Sequence, residues 1–208
     1  MVLIFYKQDI GPELLGMKVR VYYNCFYLKY NGLLEAFMEF KELAKERYSV
    51  RSYKDTKLTK EQIDRLLEVS NLAPTGKNNQ PHRIYVLQSE EALEKINELT
   101  QCAFHAPVVF MFTYNLDEDW KNFREEGIRS GIEDVSIVAC HVMFEAQEMG
   151  LGTCWVNAYP NTAVEQAFNI PDDEKSVLLM PIGYPADDSV PSERHELKKS
   201  LDKIVRYL

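Results

Sequence analysis

The stretch Arg47-Tyr48-Ser49-Val50-Arg51, followed by Ala73-Pro74-Thr75-Gly76-Lys77-Asn78-Asn79-Gln80-Pro81, decides how this chain is read. The first segment alternates two guanidinium groups with a hydroxyl. That suits a phosphate dianion, because charge-assisted and bidentate hydrogen bonds are the strong ones. The second is a donor-rich polar loop bounded by prolines. Taken singly, an Arg-rich turn reads as a solvated face and a Pro-bounded stretch as a loop. Together they point to one anionic, planar ligand.

Working outward, the apolar spacing predicts a helix over 37–45 that delivers 47–51 into the site. Thr59-Lys60-Glu61-Gln62 is a capping box, and Ile63, Leu66, Leu67 and Ser70 continue one face of the helix it starts. Pro74 disfavours helical geometry before it, so that helix ends near Leu72. The loop is then held between a helix and a strand over 83–87, and rigid flanks make loop groups usable for binding. Ser89 caps a helix running to Thr100, with Leu93, Ile96 and Leu99 as its buried stripe. The continuous apolar run over 107–114 reads as a central strand buried on both faces.

Residues 128–149 read as a long helix, apolar over more than one face, which belongs deep in the core or at a subunit interface. Gly150 and Gly152 end it. A strand over 153–158, a short helix capped by Asn161 and a strand over 176–182 follow. Helices and strands alternate without repeats, a layered α+β pattern.

The chain has 208 residues, 46% of them hydrophobic, enough to bury a sizeable core in one domain or one domain plus an appendage. Its formal net charge of −8 and scattered basic residues argue against a nucleic-acid groove, which needs clustered Lys and Arg. Cys25, Cys102, Cys140 and Cys154 include no Cys-x-x-Cys pair, so they are expected to be free, mostly buried thiols in a reducing, cytoplasmic setting. No run approaches the ~20 apolar residues of a membrane-spanning helix, and the apolar opening Val2 to Tyr6 is too short for a signal sequence. His82, His105, His141 and His195 are dispersed and show neither metal-ligand spacing nor a catalytic triad, so no metal ligand and no catalytic acid or base is assigned. His82 reads as a satisfied structural histidine. Gly150-Leu151-Gly152 lacks the third glycine of a dinucleotide fingerprint, follows a helix and precedes a strand, so a Rossmann reading fails on context.

The ordered motifs resemble those of the nitroreductase family of FMN-dependent oxidoreductases. Arg47, Ser49 and Arg51 match its Arg-x-Ser-x-Arg/Lys motif, and Pro74, Thr75, Gly76, Asn78, Gln80 and Pro81 its Pro-Ser-x-x-Asn-x-Gln-Pro-like loop. Gly150-Leu151-Gly152-Thr153-Cys154-Trp155, Ile170-Pro171, Met180-Pro181-Ile182-Gly183-Tyr184-Pro185 and Lys198-Lys199-Ser200-Leu201 extend the likeness across residues 38–208. The resemblance implies an α+β, nitroreductase-like fold: a central mixed or antiparallel sheet flanked by helices, in an intertwined homodimer whose C-terminal tail embraces the partner.

It also implies FMN as cofactor and NADH or NADPH as electron donor. Arg47, Tyr48, Ser49 and Arg51 would bind it, with Arg51 or its neighbour near the pyrimidine edge, where a cation stabilises the reduced ring. Lys198 and Lys199 would complete the phosphate clamp; the alternative for them is a solvated basic helix start. Pro74, Thr75, Gly76 and Asn78 would come from the partner chain, which places the FMN sites at the subunit interface, while Gln80 and Pro81 shape the loop. The backbone of Trp155, Val156 and Asn157 would lie along the flavin, with an N–H donating to its N5. Asn157 departs from many relatives, which carry glycine there; it narrows the ring approach or adds a hydrogen bond, or only its backbone matters.

The implied activity is ping-pong transfer from NAD(P)H to an electron-poor small molecule such as a nitroaromatic or quinone, with no nucleic acid or membrane partner. Two alternatives stay open: a flavin-binding or storage protein without turnover, and a reductive dehalogenase or flavin-fragmenting enzyme. The last two need a lid, for which residues 116–126, with Trp120 and Phe123, are the only candidate.

Residues 1–37 differ from the rest, being aromatic-rich and without helix caps, and favour a strand or hairpin. Two readings stay open, a genuine N-terminal extension and upstream message translated from a misassigned start before Met38. Leu34-Glu35-Ala36 can be encoded around GGAGG, a ribosome-binding sequence suitably placed for a start at Met38.

Overall fold

The computed structural model describes the backbone of Cys25–Tyr30 and of Leu33 onward, with side chains described from Glu39. Residues 1–24, including the apolar opening, lie outside the described residues. The chain divides into two compact units, residues 1–46 and 47–208. In the first, strands β1 (Cys25–Tyr30) and β2 (Leu33–Met38) pair antiparallel from Cys25↔Met38 to Tyr30↔Leu33. Helix α1 (Phe40–Glu46) follows. It begins later than the apolar spacing suggests, because residues 37 and 38 are paired in β2.

The second unit is built on helices α2 (Lys60–Ser70), α3 (Glu90–Leu99), α4 (Gly131–Glu148), α5 (Asn161–Ala167) and α6 (Leu201–Ile204). Its strands are β3 (His82–Leu87), β4 (Val108–Asn115), β5 (Gly152–Thr153) and β6 (Glu174–Gly183). They form one antiparallel sheet in the order β3-β4-β6-β5. Ser49 adds a parallel bridge to Thr153 beyond β5, so the edge carrying the Arg-rich segment is mixed.

Period-two alternation divides the core into two layers. Val108, Phe110 and Phe112 of β4, with Leu178, Met180 and Ile182 of β6, pack with Ile63 and Leu66 of α2 and Val135, Val138 and Val142 of α4. Val109, Met111 and Leu179 pack on the opposite face with Ile96 of α3 and Val164 of α5. The apolar run in β4 is therefore buried on both faces, as its composition requires.

The capping box at Thr59 forms: its Oγ1 accepts from the Gln62 N–H while the Gln62 side chain accepts from the Thr59 N–H. Ser89 caps α3 through the Ala92 N–H. Asn161 does not cap α5; its amide donates instead to the carbonyl and hydroxyl of Ser176, tying the helix to β6. The expected strand over 153–158 shrinks to β5 and a separate Val156↔Leu179 bridge.

Helix α4 starts at Gly131 rather than near Ile128, since the backbone before it closes a hairpin. The Asn122 N–H donates to the Ile128 carbonyl and the Ser130 N–H to the Trp120 carbonyl. The Arg129 guanidinium pairs with the buried Asp119 carboxylate and donates to the Leu116 carbonyl. Of the thiols described, Cys154 is buried, while Cys102 and Cys140 are only half-buried. No helix among the described residues is long and apolar enough to cross a membrane.

Candidate functional site

Two glycines after α4 set the site's geometry, each for a different reason. Gly150 has φ of +72°, and the Leu151 N–H donates to the Ala146 carbonyl while the Gly150 N–H donates to that of Gln147. This is a Schellman ending, which needs a left-handed residue at that position. Gly152 has no such backbone requirement; it is needed for space. A Cβ there would stand 2.4 Å from Val50 Cγ2. The bare backbone lets Val50 lie against the sheet edge, where its N–H donates to the Thr153 carbonyl at 2.9 Å.

Gly183 pairs with Gly152 across β5 and β6 and is crowded in the same way by Pro107 and Tyr53. The Tyr53 hydroxyl lies 2.8 Å from the Val50 carbonyl and 3.2 Å from that of Pro181, and burial pushes its pKa up. The Lys54 N–H donates to the Tyr184 carbonyl, fixing the far end of the segment. With Val50 buried, the rest of the segment is left to line a cleft.

That cleft, of about 250 Å³, is lined by Arg47, Tyr48, Ser49 and Arg51 together with Ser192, Arg194, His195 and Lys198. Four of these are cations, and no carboxylate is among them. The Tyr48 hydroxyl donates to Ser189, and Arg51 Nη1 to the Ser49 carbonyl. Lys198 Nζ donates to the His195 carbonyl at 2.6 Å, below a 3₁₀ turn at Glu193–Glu196 that carries Arg194. A wider space of about 500 Å³, lined by Arg51, Ser192, Glu193 and Arg194, adjoins it. Lys199 is exposed and does not line either cavity.

The stretch after β5 runs beside this cleft, since Ser49 and Thr153 pair parallel and the chain carries Arg51 toward Trp155. Burial raises the Cys154 thiol pKa, while the charges of Arg51 and Arg47 oppose the rise. Val156 exchanges two hydrogen bonds of 3.0 Å with Leu179, and the Cys154 N–H is turned to the Pro181 carbonyl. By strand alternation, the N–H groups of Trp155 and Asn157 are turned away from β6.

The Pro74 to Pro81 loop is braced separately. Its Gly76 N–H donates to Asp134 Oδ1 at 2.8 Å, and the Ser130 hydroxyl donates to Asp134 Oδ2 at 2.6 Å. Asp134 and Ser130 are both buried. A Cβ on Gly76 would stand 2.9 Å from that of Trp120, so the loop sits directly on the hairpin before α4. The Gln80 N–H donates to Thr75 Oγ1, and Gln80 Nε2 to the Asn78 carbonyl. Lys77, Asn78 and Gln80 all have positive φ, which tightens the turn. Pro74, Thr75, Gly76 and Asn78 are not among the residues lining the cleft of the same chain.

His82, just beyond the loop, is not the satisfied histidine its sequence context suggests. Its Nδ1 is buried without a hydrogen-bond partner, and burial together with the Arg83 charge lowers its pKa against a smaller opposing pull from Asp134.

Sequence reasoning missed Ser192, Arg194, His195 and Asp134. For the first three the only signal is a cation four residues before Lys198, after Pro191-Ser192. Asp134 gives no signal, being one acidic residue in a helix's first turn.

Comparison with known proteins places this geometry in context. The family model described as the nitroreductase family matches residues 44–104 and 100–184. A nitroreductase family protein of Clostridium difficile, known from its crystal structure, is 34% identical with a TM-score of 0.76, covering 82% of this chain and 98% of that one. A structure from Exiguobacterium sibiricum, in complex with FMN, has a TM-score of 0.71 at 22% identity over 83% of this chain and 98% of that one, and shares the fold. An iodotyrosine deiodinase of Thermotoga neapolitana is 27% identical over 184 residues, 80% of this chain and 96% of that protein.

Proposed function

This chain belongs to the nitroreductase family, and on that premise we propose that it is an FMN-dependent NAD(P)H oxidoreductase acting as a homodimer. The observation that carries the proposal is the carboxylate-free cleft in which Arg47, Arg51, Arg194 and Lys198 converge with Ser49 beside an open backbone edge at Trp155 to Asn157. A phosphate needs such a donor set, and a planar ring needs such an edge. When bound, FMN supplies the two-electron chemistry by which NAD(P)H is oxidised and, in alternation, an electron-poor acceptor such as a nitroaromatic or quinone is reduced.

The chain's own groups hold and orient. Arg47, Arg194 and Lys198 neutralise the phosphate, with Tyr48 and Ser49 at its margin. Arg51 lies toward Trp155 and serves the ring's pyrimidine edge. The outward amides of Trp155 and Asn157, on either side of Val156, donate along the ring.

Pro74, Thr75, Gly76 and Asn78 complete the site from the second protomer. Dimerisation is supported by the apolar surface this unit leaves bare: Phe123, Ile128, Ile132 and Ile137 around α4, and Leu201, Ile204 and Tyr207 in the tail. A visible absorption spectrum of the purified protein tests the cofactor, stopped-flow mixing with NADH and NADPH tests turnover, and light scattering tests the dimer. Flavin that neither nucleotide bleaches supports a storage protein instead.

Reductive dehalogenation is the second reading, favoured by likeness to the deiodinase and by the braced hairpin, whose exposed tip carries Phe123 with the Arg124 guanidinium 5.3 Å from its ring. Halide release from a halotyrosine under reducing conditions would select it.

A further inference from the structure

We propose that Asn157 is a positioning residue that fixes the indole of Trp155, and that this pair selects which acceptors enter the site; the selection rests on the FMN reading above. Trp155 Nε1–H donates to Asn157 Oδ1 at 2.9 Å, and Asn157 Nδ2–H donates to the Val177 carbonyl at 3.1 Å. The amide thus connects a core strand to the ring, using its acceptor on one side and its donor on the other. Residues two apart on an extended stretch project to the same face, so the two side chains stand side by side. The indole is half-buried against the core layer that includes α4, whereas Asn157 is exposed.

An exposed amide held at both ends gives up its freedom to turn in water, and ordering it costs rotamer entropy that the two bonds must offset. Its effect is on the indole. A half-buried tryptophan with its N–H fixed keeps one rotamer. The parallel register that brings Arg51 toward Trp155 sets this ring beyond the residues lining the cationic cleft, where, held in one rotamer, it would wall the space an acceptor enters rather than act as a movable flap. A fixed wall admits a small planar acceptor and rejects one that needs the ring to swing aside.

The chain has only two tryptophans, so a proton–nitrogen correlation spectrum shows two indole signals, and Trp155→Phe assigns them. In Asn157→Gly the Trp155 indole N–H should exchange with solvent about fivefold to tenfold faster, while that of Trp120 keeps its rate. Asn157→Asp keeps the acceptor for the indole but loses the donor to the Val177 carbonyl, and should retain only part of the protection. With a flavin bound, the ratio of kcat/KM for a tricyclic sulfonated quinone to that for benzoquinone should rise by about fivefold in Asn157→Gly. Trp155→Phe should raise the same ratio, and the double variant should add nothing further, because one side chain acts through the other.

Unaltered indole exchange in Asn157→Gly, or additive effects in the double variant, overturns the proposal. A protein that takes up no FMN overturns the parent reading and the selectivity with it, while the indole exchange, measured without cofactor, still decides whether the clamp exists.

Discussion

Replacing Gly152 by alanine tests whether the Arg-rich segment owes its position to a missing side chain. The new Cβ would stand 2.4 Å from Val50 Cγ2, 2.8 Å from its Cβ and 3.0 Å from its Cγ1, where carbon atoms normally rest about 3.5–4.0 Å apart. Rotating Val50 gives no relief, because its own Cβ is among the clashing atoms and the β-branched side chain, only 2% exposed, has nowhere to turn. The backbone has to move instead. Overpacking of this kind costs about 1–3 kcal/mol. Stretching the bond from the Val50 N–H to the Thr153 carbonyl adds about 1 kcal/mol.

For a chain of this size that sum lowers Tm by roughly 5–15 °C. Displaced with Val50, the flanking Arg47 and Arg51 should hold FMN about tenfold less tightly, a loss of about 1.4 kcal/mol. Thermal unfolding and fluorescence titration of FMN measure the two effects. Adding Val50→Ala removes both methyl groups and should recover part of each. Gly150→Ala provides the contrast: it strains a left-handed residue by about 1–2 kcal/mol, leaves FMN affinity alone and gains nothing from Val50→Ala. A Gly152→Ala protein with Tm within about 1 °C of the parent and unchanged FMN affinity would refute the reasoning.

Arg47→Ala should weaken FMN retention by about 1.5–3 kcal/mol through lost charge-assisted hydrogen bonds, measured by equilibrium dialysis, and unchanged affinity would contradict its role. Asp134→Ala should free the loop it anchors, so that trypsin cuts after the exposed Lys77 faster than in the parent; equal cleavage rates would show that this side chain does not hold the loop. His82, with its folded pKa depressed by burial, contributes stability that is complete above its unfolded value and is lost as pH falls through the folded one. Between about pH 7.5 and about pH 5 the parent should therefore lose more unfolding free energy than His82→Gln, and parallel pH profiles would remove the effect.

Local signals in the sequence translate directly where the interaction is local. The Thr59 capping box closes within one helical turn, and the apolar run of β4 needs both faces covered wherever the strand lies. Asn161 shows the opposite case. As a helix-starting amide it looks like a cap, yet Ser176, brought near by β6, offers partners that the first turn cannot match. The start of α4 fails to show for a similar reason, because Ile128 keeps helical spacing while its carbonyl is taken by Asn122 across a hairpin.

At the site, Arg47, Ser49 and Arg51 can be read from their alternation, and Lys198 from its place among ordered motifs. Arg194 and Ser192 cannot, because an irregular turn brings them into the cleft and no periodicity marks them. Asp134 escapes notice because its importance lies in what it accepts from Gly76, a distant backbone amide.

The positive cleft belongs to a chain whose formal net charge is −8. Beyond about one Debye length, ~8 Å at physiological salt, the body's negative charge is largely screened, so an anion nearing the cleft would meet mainly the field of its four cations. At low salt that screening lifts, and the net charge opposes an anion's approach. Such a vessel relies on its own four cations, and not on the molecule as a whole, to draw an anion in at physiological salt.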